Sequence, residues 1–182
     1  IIFCNTKIMV DRLTDSLKQL GIRVEKLHGG MEQRDRSQTI QDFKRGYFSH
    51  LVATDVAARG IDVADIELVV NYDIPEKTES YIHRIWRTAR FENTGTTLSI
   101  VNPGDRKQFN LILDSQKRLI EELKRPSKAA VQISKDEFRQ KISQRVVLKE
   151  EKGHQFKDEI LKIHINAGKK TKMRPGDVVG AI

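Results

Sequence analysis

The chain has 182 residues, 32% of them charged and 38% hydrophobic, with a formal net charge of +8. That composition excludes a membrane-embedded chain and a low-complexity one, and leaves room for one full domain plus an extension. The charge is uneven. Residues 1–123 carry 18 Lys+Arg and 18 Asp+Glu. Of the 33 basic and 25 acidic residues, 15 and 7 therefore remain for residues 124–182, and the whole excess lies there. A neutral domain followed by a basic segment predicts contact with a polyanion through that segment.

One cysteine, Cys4, rules out an intrachain disulfide and fits a reducing compartment. It sits in an apolar run, so a small core residue is favoured over a nucleophile by roughly nine to one. No apolar run approaches a membrane span and no signal peptide is visible, so a cytoplasmic protein is expected. The chain opens directly on a buried-strand pattern, Ile1-Ile2-Phe3-Cys4, and stops abruptly at Val178-Val179-Gly180-Ala181-Ile182. It reads as a piece of a longer protein.

Ile1 to Cys4 predicts a central parallel strand. Asn5-Thr6 can cap the helix that follows, with Val10, Leu13, Leu17 and Leu20 on its inner face and Gly21 at its end. Ile22 to Leu27 predicts a second strand, His28-Gly29-Gly30 a turn, and Glu32 to Lys44 a helix with Ile40 and Phe43 inward, stopped by Gly46. Leu51 to Thr54 is the third strand, running into a small-residue loop from Thr54 to Asp62. Glu67 to Tyr72 is the fourth. After Pro75 a helix is expected from Thr78 to Arg90. Thr96 to Val101 is a fifth strand, rich in β-branched residues. A long amphipathic helix is expected from Asp105 to Lys124, carrying Phe109, Ile112, Leu119 and Leu123.

Residues 124–157 read as a basic linker with a local helix lined by Phe138, Ile142 and Val146. Ile160 to Ile165 predicts a strand, followed by a basic turn and a helix start at Arg174-Pro175-Gly176-Asp177. Residues 158–182 thus look like the beginning of a second small domain. Alternating strands and helices predict an α/β fold with a parallel sheet covered on both faces. Ligands of such sheets bind beyond the carboxyl ends of the strands. The loops at Asn5-Thr6-Lys7, at His28-Gly29-Gly30 and from Thr54 to Asp62 should therefore open on one edge, together with the turn before the fourth helix.

That edge carries the candidate chemistry. Arg84, Arg87 and Arg90 recur every three residues and His83 lies four before Arg87. On a helix they project from one side, with Tyr81, Ile82, Ile85 and Ala89 available for the other. A guanidinium offers a planar fork of donors that suits phosphate; a solvated basic face accounts for the run equally well when it is taken alone. Thr54 and the neighbouring amides can donate to phosphate oxygens, Asp62 can accept from a sugar hydroxyl, and Gly60 permits close backbone approach. An ordinary loop with Asp caps is the plainer alternative. His28-Gly29-Gly30 is either a simple turn or a backbone phosphate contact, and Gln33 and Arg36 can tie the next helix to neighbouring loops. No phosphate-cradling Gly-x-x-x-x-Gly-Lys-Ser/Thr stretch exists. No Cys/His cluster has metal spacing, so no metal ligand is assigned, and His154 and His164 read as structural or solvated.

Four stretches, in this order and spacing, resemble the second RecA-like domain of DEAD-box ATP-dependent RNA helicases. They are Ile2-Phe3-Cys4-Asn5-Thr6; His28-Gly29-Gly30 with Gln33 and Arg36; Val52 through Asp62; and His83-Arg84-Ile85-x-Arg87-Thr88-x-Arg90. The resemblance covers residues 1–123. The end, Ala167 through Ala181, is similar to the opening of the RNA-recognition (RRM-like) domain of the bacterial DbpA-type subfamily, whose members act on large-subunit ribosomal RNA in ribosome assembly. The resemblance implies that Arg87 and Arg90 reach the γ-phosphate of ATP bound, with Mg2+, mainly by a first RecA-like domain. Arg90 is then the arginine finger. His83 couples nucleotide to RNA, and Asp62, with Gly60 beside it, holds the ribose. Gly29, Gly30, Thr54 and the neighbourhood of Arg59 contact the RNA backbone. The piece alone is then inactive, and the whole protein unwinds RNA duplexes.

The family has glycine where this chain has Trp86 and Ala89. Trp86 puts an indole beside the finger, where it can wedge the two domains apart or shift Arg87. A catalytically silent RNA-binding module is therefore the competing expectation. A DNA helicase domain shares the fold but matches Ala57-Ala58-Arg59-Gly60-Ile61-Asp62 less well.

Overall fold

Five short apolar runs form one parallel sheet in the order β2-β3-β1-β4-β5. They are β1 (Ile2–Phe3), β2 (Val24–Leu27), β3 (His50–Ala53), β4 (Leu68–Asn71) and β5 (Thr96–Ser99). This is a computed structural model; it describes residues 1–58, 66–88, 95–116 and 120–143, all within the unit Ile1–Lys149. The RRM-like start expected at 158–182 lies outside the described residues. As the apolar run at its start predicts, β1 is the central strand, pairing with β3 on one side and β4 on the other.

The period of two along each strand splits the core. Phe3, Leu51, Ala53 and Val69 point to one face, where Ile40 and Phe43 of α2 (Gln33–Arg45) pack on them. Cys4 and Val52 point to the other, against Val10, Leu13 and Leu17 of α1 (Lys7–Gln19). Helices thus cover both faces, as expected. The helix ends follow local chemistry. The Thr6 hydroxyl accepts the Met9 amide at 3.1 Å, satisfying an otherwise unpaired first-turn donor. Gly46, at φ +81°, ends α2 in the left-handed conformation that a Cβ would strain.

Three sequence expectations need correction. The loop from Thr54 begins as a helical turn, α3 (Asp55–Ala58), which buries Ala57 and Ala58. Small side chains let it sit against the sheet.

The helix expected from 105 to 124 is shorter. A capping box between Asn102 and Asp105 opens a 3-10 turn, and α5 then runs Arg106–Gln116. Phe109 and Ile112 pack with Tyr81. Residues 120–127 are not helical, and Leu123 is 66% exposed. The charged run around it gives it no apolar face to join, and Pro126 disfavours helical backbone at Arg125. Leu119 lies outside the described residues.

The linker is more regular than expected. Ser127 caps Ala130, and α6 runs Lys128–Ser143 with Phe138 exposed; Val146 lies outside the described residues.

Cys4 is fully buried. Burial, helped by the charge of Asp73 and opposed by Arg84, pushes its thiol up to about 12, so it is neutral at pH 7. Labelling by a thiol reagent is expected only through global opening, about 10³-fold or more slower than in the urea-unfolded chain. Rapid labelling in native buffer, followed by mass spectrometry, counts against this account of the central strand.

Candidate functional site

The carboxyl ends of β2, β3, β1 and β4 deliver His28, Thr54, Asn5 and Asp73 to one edge of the sheet. Backbone and side-chain bonds fasten them together. The Thr54 amide donates to the Leu27 carbonyl at 3.2 Å. The Asn5 amide donates to Asp73 Oδ2 at 3.0 Å, and Asn5 Nδ2 to the Ile74 carbonyl at 2.9 Å. The described starts of the four loops therefore do lie together, as the fold class requires.

Over this edge lies α4 (Thr78–Ile85). The helix expected to reach Arg90 ends here. The Arg87 amide bonds to the Arg84 carbonyl and the Thr88 amide to the Ile85 carbonyl, a tighter i to i−3 pattern. The buried Thr88 hydroxyl donates to the Ile66 carbonyl, so the turn is drawn onto the strand entry where that hydroxyl finds its acceptor.

The expected arginine stripe also splits. Arg84 is 1% exposed and belongs to the buried face with Tyr81, not to an anion-facing side. Its Nε and Nη2 grip both oxygens of Asp55 at 2.6 and 2.9 Å. Nη1 donates to the Asp73 carbonyl at 2.7 Å, and Nη2 to Asn5 Oδ1 at 2.8 Å. Its guanidinium also lies over the Phe3 ring, 5.3 Å from the centroid, a cation–π placement. One side chain thus closes the ends of β1, β3 and β4.

Arg87, half-buried, and His83, exposed, line a small cleft with Asp55, Ser80 and Arg84. These two sequence candidates are therefore brought together. Trp86 is 64% exposed at the end of α4, and its ring meets that of His83 edge-on at 6.4 Å. Arg90, Arg59, Gly60, Asp62 and Ala89 lie outside the described residues.

The glycine turn is built by His28, which is 6% exposed. Its Nδ1 accepts the Gly30 amide at 3.1 Å, so Nε2 carries the proton toward Asp11 Oδ1 at 3.2 Å. Lys26 shares that carboxylate; its hydrogen bond holds the Asp11 carboxyl below the usual range, and Asp11 in turn raises the Lys26 ammonium. Gly29 and Gly30 are both exposed. A Cβ at Gly30 meets the His28 ring at 3.2 Å, whereas one at Gly29 meets nothing within 4 Å. The chain itself gives no steric reason for glycine at position 29. Thr54 is half-buried between this turn and Asp55.

Two residues of this site escape the sequence reading. Asp55 reads there only as a loop residue, although an arginine three residues after a buried tyrosine signals an inward ion pair. Lys7, exposed in the first turn of α1, has its Cδ 3.8 Å from a Cβ built on Gly30. Its aliphatic stem lies beside the glycine turn.

Residues 1–92 match the family model described as helicase conserved C-terminal domain. The chain is 44% identical over all 182 residues to the ATP-dependent RNA helicase DbpA of Bacillus subtilis strain 168, and 36% identical over the same length to that of Escherichia coli strain K12. It spans 38% and 35% of those relatives. Among solved structures, it is similar to a DEAD-box protein from Methanococcus jannaschii. The TM-score is 0.64 at 39% identity, covering 68% of this chain and 34% of that one. It is also similar to domain 2 of the DEAD-box helicase Mss116p bound to an RNA duplex. There the TM-score is 0.63 at 26% identity, covering 79% and 57%.

Proposed function

The chain belongs to the helicase C-terminal domain family and is a DEAD-box helicase C-terminal domain, and from that premise we propose that it is the second half of an ATP-dependent RNA-unwinding motor. In this reading a first RecA-like domain binds ATP with Mg2+, and closure brings Arg87 and Arg90 onto the γ-phosphate. His83 links nucleotide to RNA, and Asp62 with Gly60 meets the ribose. Gly29, Gly30, Thr54 and Arg59 meet the RNA backbone. The observation that carries the proposal is that one sheet edge holds two donor groups. One is the His83 and Arg87 cleft; the other is the exposed glycine turn, with Lys7 beside it. Guanidinium forks suit terminal phosphates, and an exposed glycine turn with a lysine beside it suits a phosphate backbone. The relatives named DbpA and the likeness of residues 167–181 support large-subunit ribosomal RNA as the target. No helix among the described residues is long and apolar enough to cross a membrane; a cytoplasmic site of action follows from the ribosomal reading.

The test is ATP hydrolysis and duplex unwinding by this chain joined to its first domain, with ribosomal RNA and with a generic duplex. The expected result is RNA-stimulated turnover, greater with ribosomal RNA. Equal stimulation by both removes the ribosomal assignment. RNA binding without turnover points to the silent binding module, which the exposed Trp86 beside Arg87 favours.

Two further outcomes follow from the same reading. Trp86→Gly with Ala89→Gly is expected to raise RNA-stimulated turnover, because an indole that is 64% exposed on the closing face obstructs closure. Unchanged turnover refutes that role for the two residues. Deleting residues 124–182, which hold the whole +8 excess, is expected to weaken RNA binding. The salt slope should fall by about 0.7 for each single-strand phosphate that the shortened chain leaves unneutralised. Binding titrations at several salt concentrations that give the same affinity and slope count against the basic segment as an RNA-binding element.

A further inference from the structure

The glycine turn takes its shape from a titratable ring. The Met31 amide donates to the His28 carbonyl at 3.2 Å, closing a four-residue turn. Within it the His28 side chain does what an asparagine does in an Asx-turn. Its Nδ1 accepts the amide two residues on, that of Gly30, at 3.1 Å. That amide is thereby taken from any ligand. Gly29 stands exposed beside it, its backbone is not left-handed, and a Cβ there meets nothing within 4 Å. A glycine that its own chain does not require marks a place where an outside backbone can come close.

We infer that His28, fixed in one tautomer by Asp11, is a positioning residue that holds the glycine turn in the form that receives an RNA phosphate. The inference rests on the proposed RNA role of that turn and deepens it. His28 is buried, so it acts through the turn and not by touching RNA. Its Nε2 lies 3.2 Å from Asp11 Oδ1. Lys26 donates to that same oxygen, and this bond keeps the carboxyl ionised. An ionised carboxylate only accepts, so Nε2 carries the ring's proton and Nδ1 is left as the acceptor. The other charges about the ring are Lys7 of α1, beside Gly30, and Asp15 and Glu25, which act on Lys26. A merely space-filling histidine needs neither bond. A second ring proton, at Nδ1, sets donor against donor and releases the Gly30 amide. The charge it adds is met by Asp11, so attraction for phosphate does not replace the lost shape.

The test follows ring-nitrogen and amide resonances of the 182-residue chain, and its binding of a single-stranded oligouridylate, across the histidine range of about pH 5 to 8. Without RNA, His28 is expected as the Nε2–H tautomer at the upper end, and the Gly30 amide should titrate with the ring. Affinity for oligouridylate should fall with the same titration. His28→Asn keeps an acceptor for the Gly30 amide but takes no proton. It should bind as the unaltered chain does at the upper end and lose the fall; the ratio of the two affinities cancels the other histidines. His28→Phe keeps a ring without an acceptor and should bind about fivefold more weakly at the upper end. Asp11→Asn, whose amide donates as well as accepts, should populate both tautomers and bind with intermediate affinity. Amide dispersion reports that each variant is folded. An Nδ1–H tautomer in the unaltered chain overturns the inference. So does an affinity ratio between the unaltered chain and His28→Asn that stays constant across the range. If oligouridylate binds neither at any pH, the RNA reading fails and the positioning role falls with it, and the ring spectra tell that failure apart from the other two.

Discussion

Arg84→Ala is expected to destabilise the domain by about 3–5 kcal/mol, whereas Arg87→Ala, three residues on, costs about 1 kcal/mol or less. The two arginines share a spacing pattern and differ in environment. Removing the Arg84 guanidinium strips Asp55 of both partners and orphans Asn5 Oδ1 and the Asp73 carbonyl. It also leaves a space over the Phe3 ring. Each orphaned acceptor contributes about 1 kcal/mol or more where water cannot reach it. Asp55 keeps 29% exposure, so water relieves part of its loss and the lower end of the range is expected. At about 2–8 °C per kcal/mol for domains of this size range, thermal melts followed by circular dichroism should show a drop of about 10 °C or more for Arg84→Ala and a small one for Arg87→Ala. Equal melting temperatures for the two variants sink the view that Arg84 closes the sheet edge.

How much of this is legible in the sequence depends on what each signal encodes. Strand runs, the Thr6 cap and the Gly46 stop are local, and local chemistry places them to within a residue or two. The two faces of the core are readable as well, because the period of two around Phe3 and Cys4 forces them apart. Arg84 is misplaced by spacing alone for a definite reason. Helical spacing shows that Arg84, Arg87 and Arg90 can share a side, but not which side meets the sheet. Tyr81, three residues before Arg84, is 3% exposed and faces inward as expected. Carrying that face forward by one turn includes Arg84 and Thr88, both buried. A buried arginine then demands acidic and carbonyl partners, and Asn5, Asp55 and Asp73 supply them from strand ends far apart in sequence. Only the sheet order brings those ends together. The helix expected to run to Lys124 fails in the opposite way: an apolar period alone does not hold a helix where no surface accepts Leu123. The candidate residues Arg59, Gly60, Asp62 and Arg90 fall outside the described residues and stand on the sequence alone.

The largest functional effect is expected at Arg87 and Arg90, the arginines proposed to meet the γ-phosphate. In the protein joined to its first domain, Arg87→Ala or Arg90→Ala should lower kcat for RNA-stimulated ATP hydrolysis by about 10³-fold or more, the scale of an arginine finger. Arg87 is only half-buried, in a cleft shared with His83 and Asp55, where a ligand can meet it. Charge on the transferring phosphoryl group grows in the transition state, and a donor aimed there acts on kcat more than on KM. Arg87→Lys should recover little, because a point charge cannot reproduce the two-pronged fork. The melting temperature of Arg87→Ala should stay near that of the unaltered protein, which separates it from Arg84→Ala. Steady-state and single-turnover measurements decide the matter. If Arg87→Ala keeps kcat within about tenfold, or loses only ATP affinity, the cleft beside His83 is a ground-state contact and the phosphate-clamping role passes to other groups on this edge.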